Sequence, residues 1–139
     1  MRKIILSIAS LAAFIFLGFS SRTPVFYDAT GSVTFYCNKK NSNCAFVTVN
    51  SDYEQTFKTL RNVKGECAEN VNEEYVKKIL ARLNAKKQFT EVVDGVTCDY
   101  YYTPAIKDYV VIGGKRVNLH SARRGGVYSI ATPMIFGSY

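Results

Sequence analysis

The sequence predicts an α+β fold: an antiparallel sheet of about six strands with two helices packed on one face. Three observations carry that expectation. From Gln88 onward, runs rich in β-branched and aromatic residues are joined by short Asp-Gly or Gly-Gly turns. Between Ser51 and Lys87, apolar residues recur at helical rather than strand spacing. Strands, then helices, then strands is the segregated order of an α+β domain, not the alternating order of a parallel one.

Taken in order, Ser21 to Thr30 contains Pro24 and no period, and reads as a linker ahead of one domain over 31–139. Ser32 to Cys37 and Cys44 to Val49 flank the wholly polar Asn38 to Asn43, which predicts a hairpin. Ser51-Asp52-Tyr53-Glu54 has the form of a capping box, with Tyr53, Phe57 and Leu60 at helical spacing behind it and Gly65 as the expected stop. The second helix has Asn72 as its cap and Glu73 and Glu74 in the first turn, where they complement the helix dipole. Tyr75 or Val76, with Ile79, Leu80 and Leu83, forms its apolar face, and Lys86 and Lys87 are expected to close it. Asp94-Gly95 then predicts a type I′ turn between Phe89–Val93 and Val96–Tyr102, because both positions need positive φ. Gly113-Gly114 predicts a second such hairpin between Tyr109–Ile112 and Lys115–Leu119, and Gly125-Gly126 leads into Val127–Ala131 and the apolar Met134-Ile135-Phe136.

The N-terminus gives a location. Arg2 and Lys3 precede the apolar run Ile4 to Phe19, which leaves through Gly18-Phe19-Ser20, the three-part pattern of a signal peptide over 1–20. The alternative is an uncleaved anchor, but the run falls short of the roughly 20 apolar residues a span needs, and Ser7 and Ser10 interrupt it. Eighteen basic against eleven acidic residues give a net charge of +7, and loss of Arg2 and Lys3 leaves sixteen against eleven, or +5. That excess favours anionic surfaces such as phospholipid heads or wall polymers. Four cysteines, Cys37, Cys44, Cys67 and Cys98, in an exported chain predict two disulfides among three connectivities. Cys37–Cys44 across the polar hairpin, with Cys67–Cys98 following, is the expected set.

Catalytic patterns are sparse. Cys67 or Cys98 with His120 as base would make a small secreted hydrolase, yet no signature surrounds either thiol. Zinc is disfavoured because the closest cysteines, Cys37 and Cys44, are separated by six residues rather than two to four. Glu66, Glu69, Glu73, Glu74, Glu91, Asp94 and Asp99 are available for glycoside hydrolysis, but nothing selects a pair. No cofactor is expected, and no helix–turn–helix, finger or RNP pattern points to nucleic acid. The denser feature is the basic cluster Lys115, Arg116, His120, Arg123 and Arg124. Strand alternation would put Arg116, Asn118 and His120 on one face and Lys115, Val117 and Leu119 on the other, giving a polar cationic surface beside a basic loop. Tyr100 and Tyr102 share a face opposite Tyr101 and are candidate stacking partners for a sugar.

Cys98-Asp99-Tyr100-Tyr101-Tyr102-Thr103-Pro104, Gly113-Gly114-Lys115-Arg116-Val117-Asn118-Leu119-His120 and Thr132-Pro133-Met134-Ile135-Phe136-Gly137-Ser138 together resemble the closing segment of the YwmB-like exported proteins of spore-forming Firmicutes. The resemblance covers roughly the last 40 residues. The chain is much shorter than that family, its four cysteines are no hallmark of it, and Ala131-Thr132-Pro133 stands where Gly-Thr-Pro would be expected. It implies an exported α+β protein with a fold like that of TATA-box-binding proteins, without catalytic residues. The expected function is therefore non-enzymatic binding or assembly in a Gram-positive envelope, on an anionic wall or membrane component, through Arg116, Asn118, His120, Arg123, Arg124, Tyr100 and Tyr102. A cysteine-dependent hydrolase is one alternative. A cationic effector acting on membranes through the amphipathic stretch Asn72–Lys87 is the other.

Overall fold

A computed structural model describes residues 23–38, 44–60 and 63–133. Its elements are β1 (Val33–Asn38), β2 (Cys44–Val49), α1 (Tyr53–Thr59), β3 (Val63–Val71), α2 (Glu73–Arg82), β4 (Lys86–Val93), β5 (Val96–Tyr102), β6 (Val110–Ile112), β7 (Lys115–Val117), β8 (Leu119–Arg124) and β9 (Val127–Thr132). Seven strands form one antiparallel sheet in the order β2-β1-β3-β9-β8-β5-β4, and β6 and β7 form a separate hairpin. The fold is α+β, with both helices on one face.

The hairpins follow from their turns. Asp94 and Gly95 have φ of 51° and 77°, and Gly113 and Gly114 have 57° and 79°, the left-handed pair that a two-residue turn requires. The β8–β9 turn differs: Gly125 alone is left-handed, at φ 61°, and Gly126 is not.

α2 matches its capping signals. Asn72 Oδ1 accepts the Tyr75 N–H at 2.8 Å. The helix ends earlier than expected, because Asn84 turns left-handed at φ 49°. Asn84 and Ala85 return their N–H groups to the Ala81 and Leu80 carbonyls at 3.1 and 2.9 Å, a Schellman closure. Lys86 and Lys87 therefore open strand β4 instead of closing the helix.

α1 departs from its capping box. The N-cap position falls on Asp52, at φ 62° and with no side-chain cap bond. Seven residues are too few for a helix to persist on propensity alone. Aromatic packing holds it: the Tyr53 and Phe57 rings stack at 5.9 Å, and both lean on Phe35 of β1, at 5.1 and 5.9 Å.

Gly65 does not stop a helix. It lies inside β3, a strand the sequence reading lacks, where an added Cβ would meet the Thr132 carbonyl oxygen of β9 at 2.4 Å. Glycine is there because two backbones approach too closely for a side chain.

The cores lie on both faces. Phe35, Ala68, Ile130, Leu119 and Tyr101 meet Tyr53, Tyr75, Val76 and Ile79 beneath the helices. On the other face Val96, Cys98, Tyr100 and Ala122 pack with Val117, and Val110 and Ile112 bring the rest of the β6–β7 hairpin over them. A single register row crosses that face through all seven strands: Phe89, Tyr100, His120, Ala131, Cys67, Thr34 and Thr48.

Part of the expected linker is core. Phe26 is fully buried and Val25 nearly so, which at about 1.5–3 kcal/mol for a large apolar side chain anchors the segment. Asp28 ties it to α2 through Lys78 Nζ at 2.6 Å, Arg82 Nη1 at 3.1 Å and the Tyr75 hydroxyl at 3.1 Å. Burial raises the Asp28 carboxyl, but these donors and cations outweigh it and hold the group below its ordinary range. The signal peptide expected over 1–20 and the apolar stretch Met134–Phe136 lie outside the described residues.

Among the described residues there is no disulfide, contrary to expectation: Cys37, Cys67 and Cys98 are buried thiols. Cys67 and Cys98 stand on β3 and β5, three strand spacings apart. At about 4.8 Å per spacing that is roughly 14 Å, twice the reach of a bridge. In the β1–β2 ladder the backbone of Cys37 registers with Ala45 and that of Cys44 with Asn38; the Cys44 side chain, and with it the expected Cys37–Cys44 bridge, lies outside the described residues.

Candidate functional site

The seven residues expected to form one binding face separate into three groups. Asn118 and His120 are fully buried, and Tyr100 nearly so. Alternation fails between Lys115 and His120 because Asn118 is not in a strand. Its Oδ1 accepts the Thr103 N–H at 2.9 Å, and its Nδ2 donates to the Thr103 and Ile106 carbonyls at 2.7 and 3.0 Å. That clamp separates β7 from β8, so Val117 packs under the hairpin while Leu119 packs under the helices. The amide is a structural tie for the 103–106 turn, and no ligand contact is open to it.

His120 stacks on Tyr100 at 4.4 Å and 7°, and Tyr100 on Phe89 at 4.3 Å. The Tyr100 hydroxyl donates to Glu91 Oε1. Burial pushes the imidazole down to about 4, against the attraction of Asp99. Burial pushes the Cys67 thiol up to about 12, with Glu69 adding to the rise and a Tyr36 hydrogen bond opposing it. A protonated thiol and a neutral imidazole are the reverse of the thiolate–imidazolium pair that a cysteine nucleophile needs. Cys98 is likewise fully buried.

Arg123 and Arg124 are exposed and end strand β8, so alternation directs them to opposite faces. They are not part of a loop.

The third group converges. Arg116 is exposed on β7, with its guanidinium 4.9 Å from the centre of the Tyr109 ring. Tyr109 meets Tyr102 edge-on at 6.2 Å and 84°. Tyr102 registers with Lys86 at the first position of β4. Lys115 Nζ reaches the Gln88 carbonyl of the same strand at 2.9 Å. Three cations and two tyrosines thus line the junction between β4 and the β6–β7 hairpin: Lys86, Lys115, Arg116, Tyr102 and Tyr109. The Tyr109 ring, braced edge-on by Tyr102, backs the Arg116 guanidinium, whose planar fork of donors matches a phosphate or carboxylate. Sequence reasoning found Arg116 and Tyr102 and noted Lys115. It missed Lys86, assigned to a helix end, and Tyr109, whose pairing depends on the hairpin folding back over the sheet.

Glu66 is the other outlying group. Fully buried on β3, its Oε1 accepts the Val25 and Phe26 N–H groups at 3.1 and 2.6 Å and the Tyr53 hydroxyl at 2.7 Å. Burial and the Glu66 charge push the Tyr53 phenol well above its ordinary value. This carboxylate joins three segments and opens onto no solvent. A cavity of about 130 Å³ lies nearby, lined by Phe26, Ala29, Val33, Asn50 and Tyr53 among others. Among the described residues, no three His, Cys, Asp or Glu side chains gather where they could hold a metal ion. No family profile, curated protein or solved structure matches this chain.

Proposed function

We propose that this chain is an exported, non-enzymatic binding protein of a Gram-positive envelope, released by cleavage after Ser20, that holds an anionic wall polymer on the surface formed by Lys86, Tyr102, Tyr109, Lys115 and Arg116. The observation that carries the reading is the Arg116–Tyr109–Tyr102 ladder at the foot of the β6–β7 hairpin. Anionic glycopolymers offer both phosphate or carboxylate charge and sugar faces, which guanidinium forks and tyrosine rings recognise respectively. The resemblance of the C-terminal third to the YwmB-like proteins supports export and the lack of catalytic residues.

The test is retention on purified cell-wall sacculi. Lys115→Glu with Arg116→Glu is expected to release the protein, and Tyr109→Ala to weaken retention by about tenfold. Retention of the double variant at the wild-type level would overturn the reading. Arg123→Glu with Arg124→Glu, at the far end of the sheet, is expected to leave wall retention in place.

A further inference from the structure

Four large apolar side chains are exposed among the described residues. Three of them, Val92 at 67%, Val93 at 44% and Val127 at 53%, gather at one end of the sheet. They belong to the tips of two neighbouring hairpins, β4–β5 turning at Asp94-Gly95 and β8–β9 turning at Gly125-Gly126. Because β5 pairs with β8, the tips lie side by side. One register row runs Val92, Thr97, Arg123, Tyr128, and beyond it Val93 pairs with Val96 and Arg124 with Val127. Four strands at about 4.8 Å spacing make this tip about 14 Å across. Arg123 and Arg124 are exposed within it, and Asp94 is the one carboxylate in residues 92–97 and 123–128.

We infer that this tip is a lipid-contact surface: Val92, Val93 and Val127 enter the headgroup region of an anionic bilayer while Arg123 and Arg124 engage its phosphates. By alternation Val92 and Arg123 lie on one face of the tip and Val93, Val127 and Arg124 on the other, so the exposed valines ring the end of the sheet and no partner seated on a single face covers all three. Pairing of the outermost strand with a second copy would account for Val92 and Val93 on β4. It would leave Val127 unexplained, since β9 is interior, between β3 and β8. A planar partner that touches both tips at once accounts for all three. Charge selects the kind of plane. Arginine forks match phosphate bidentately, and their aliphatic stems lie along apolar surface while the heads reach polar groups. Interfacial binding of this kind grows with buried apolar area and with attraction to anionic lipid. The tip stands at the opposite end of the β4–β5 hairpin from Lys86 and Tyr102, so it is independent of the wall-binding reading. A protein with both surfaces would sit between bilayer and wall.

The chain contains no tryptophan, so V127W places a single emitter at the tip of the full-length protein, and the leader adds no signal. On phosphatidylglycerol vesicles the emission of V127W is expected to shift to the blue and to be quenched by brominated lipid, with little change on phosphatidylcholine alone. E74W, on the exposed side of α2, is expected to do neither. Adding Arg123→Glu and Arg124→Glu to V127W should weaken the vesicle response at least about tenfold. Adding Lys115→Glu and Arg116→Glu should leave it unchanged, which separates this surface from the wall-binding one. Unchanged V127W emission on anionic vesicles would overturn the proposal. So would equal shifts for V127W and E74W, which would mark adsorption through the leader, or a lipid-independent shift that grows with protein concentration, which would mark self-association.

Discussion

Glu66 Oε1 lies 2.6 Å from the Phe26 backbone nitrogen, 40 positions earlier in the chain. The same oxygen accepts the Val25 N–H and the Tyr53 hydroxyl, so one buried carboxylate joins the segment before β1, the start of α1 and the centre of the sheet. It is a tertiary tie where disulfides were expected. Replacement by leucine removes the acceptor and strands three buried donors, which is expected to cost about 3–5 kcal/mol. Glu66→Gln keeps one acceptor oxygen and is expected to cost about 1–2 kcal/mol. Urea unfolding measures both; a change below about 0.5 kcal/mol in the leucine variant would show that the tie is not structural.

His120 makes stability depend on pH in a defined window. Its folded value, about 4, lies below the 6.5 of the unfolded chain. Between those values the unfolded state binds the proton and the folded state does not, so stability is fully present above 6.5 and is lost as pH falls towards 4. The loss attributable to this group is at most about 3 kcal/mol. His120→Phe keeps the stack on Tyr100 and removes the proton site. Its unfolding midpoint should fall less steeply than that of the wild type between pH 7 and pH 4.5. Parallel curves would refute the assignment.

Asn118 predicts a local effect. Removing its amide by Asn118→Ala leaves the Thr103 N–H and the Thr103 and Ile106 carbonyls without their partner. About 2–4 kcal/mol of destabilisation is expected. Amide exchange should accelerate first at residues 103–106, with β1 and β3 protected. Uniform acceleration across the sheet would contradict a local clamp.

The cysteines should behave as buried thiols. Cys37, Cys67 and Cys98 are expected to resist iodoacetamide at neutral pH in the folded protein and to be alkylated once it is unfolded in urea without reductant. Cys67 should be the slowest in the folded state, since burial holds its thiol protonated at neutral pH. An unfolded, unreduced chain that takes up no label would establish bridges in place of thiols.

Legibility followed the range of the interactions. The Asp94-Gly95, Gly113-Gly114 and Gly125-Gly126 turns, and the Asn72 cap with Glu73 and Glu74 behind it, are readable because each depends on residues within a few positions. Strand β3 was hidden. Its Glu66 and Gly65 break the apolar pattern, and both are explained only by partners brought from Val25–Phe26 and Thr132. The end of α2 was readable in principle from Asn84, which tolerates the left-handed turn, but the lysines beyond it suited a helix terminus equally well.

The sequence by itself determined the α+β class, the turn positions and the alternation that separates Tyr100 and Tyr102 from Tyr101, since period and local dihedral preference need no distant partner. Tertiary structure alone decided which polar residues are available to a ligand. Alternation predicts a shared face for Asn118 and His120, but Asn118 leaves the strand to clamp the 103–106 turn and His120 is buried against Tyr100. The same fold brings Lys115 of the β6–β7 hairpin to the Gln88 carbonyl of β4 and sets the β8–β9 tip beside the β4–β5 tip. Burial and convergence arise from contacts between residues far apart in the chain, and a one-dimensional pattern carries no term for them.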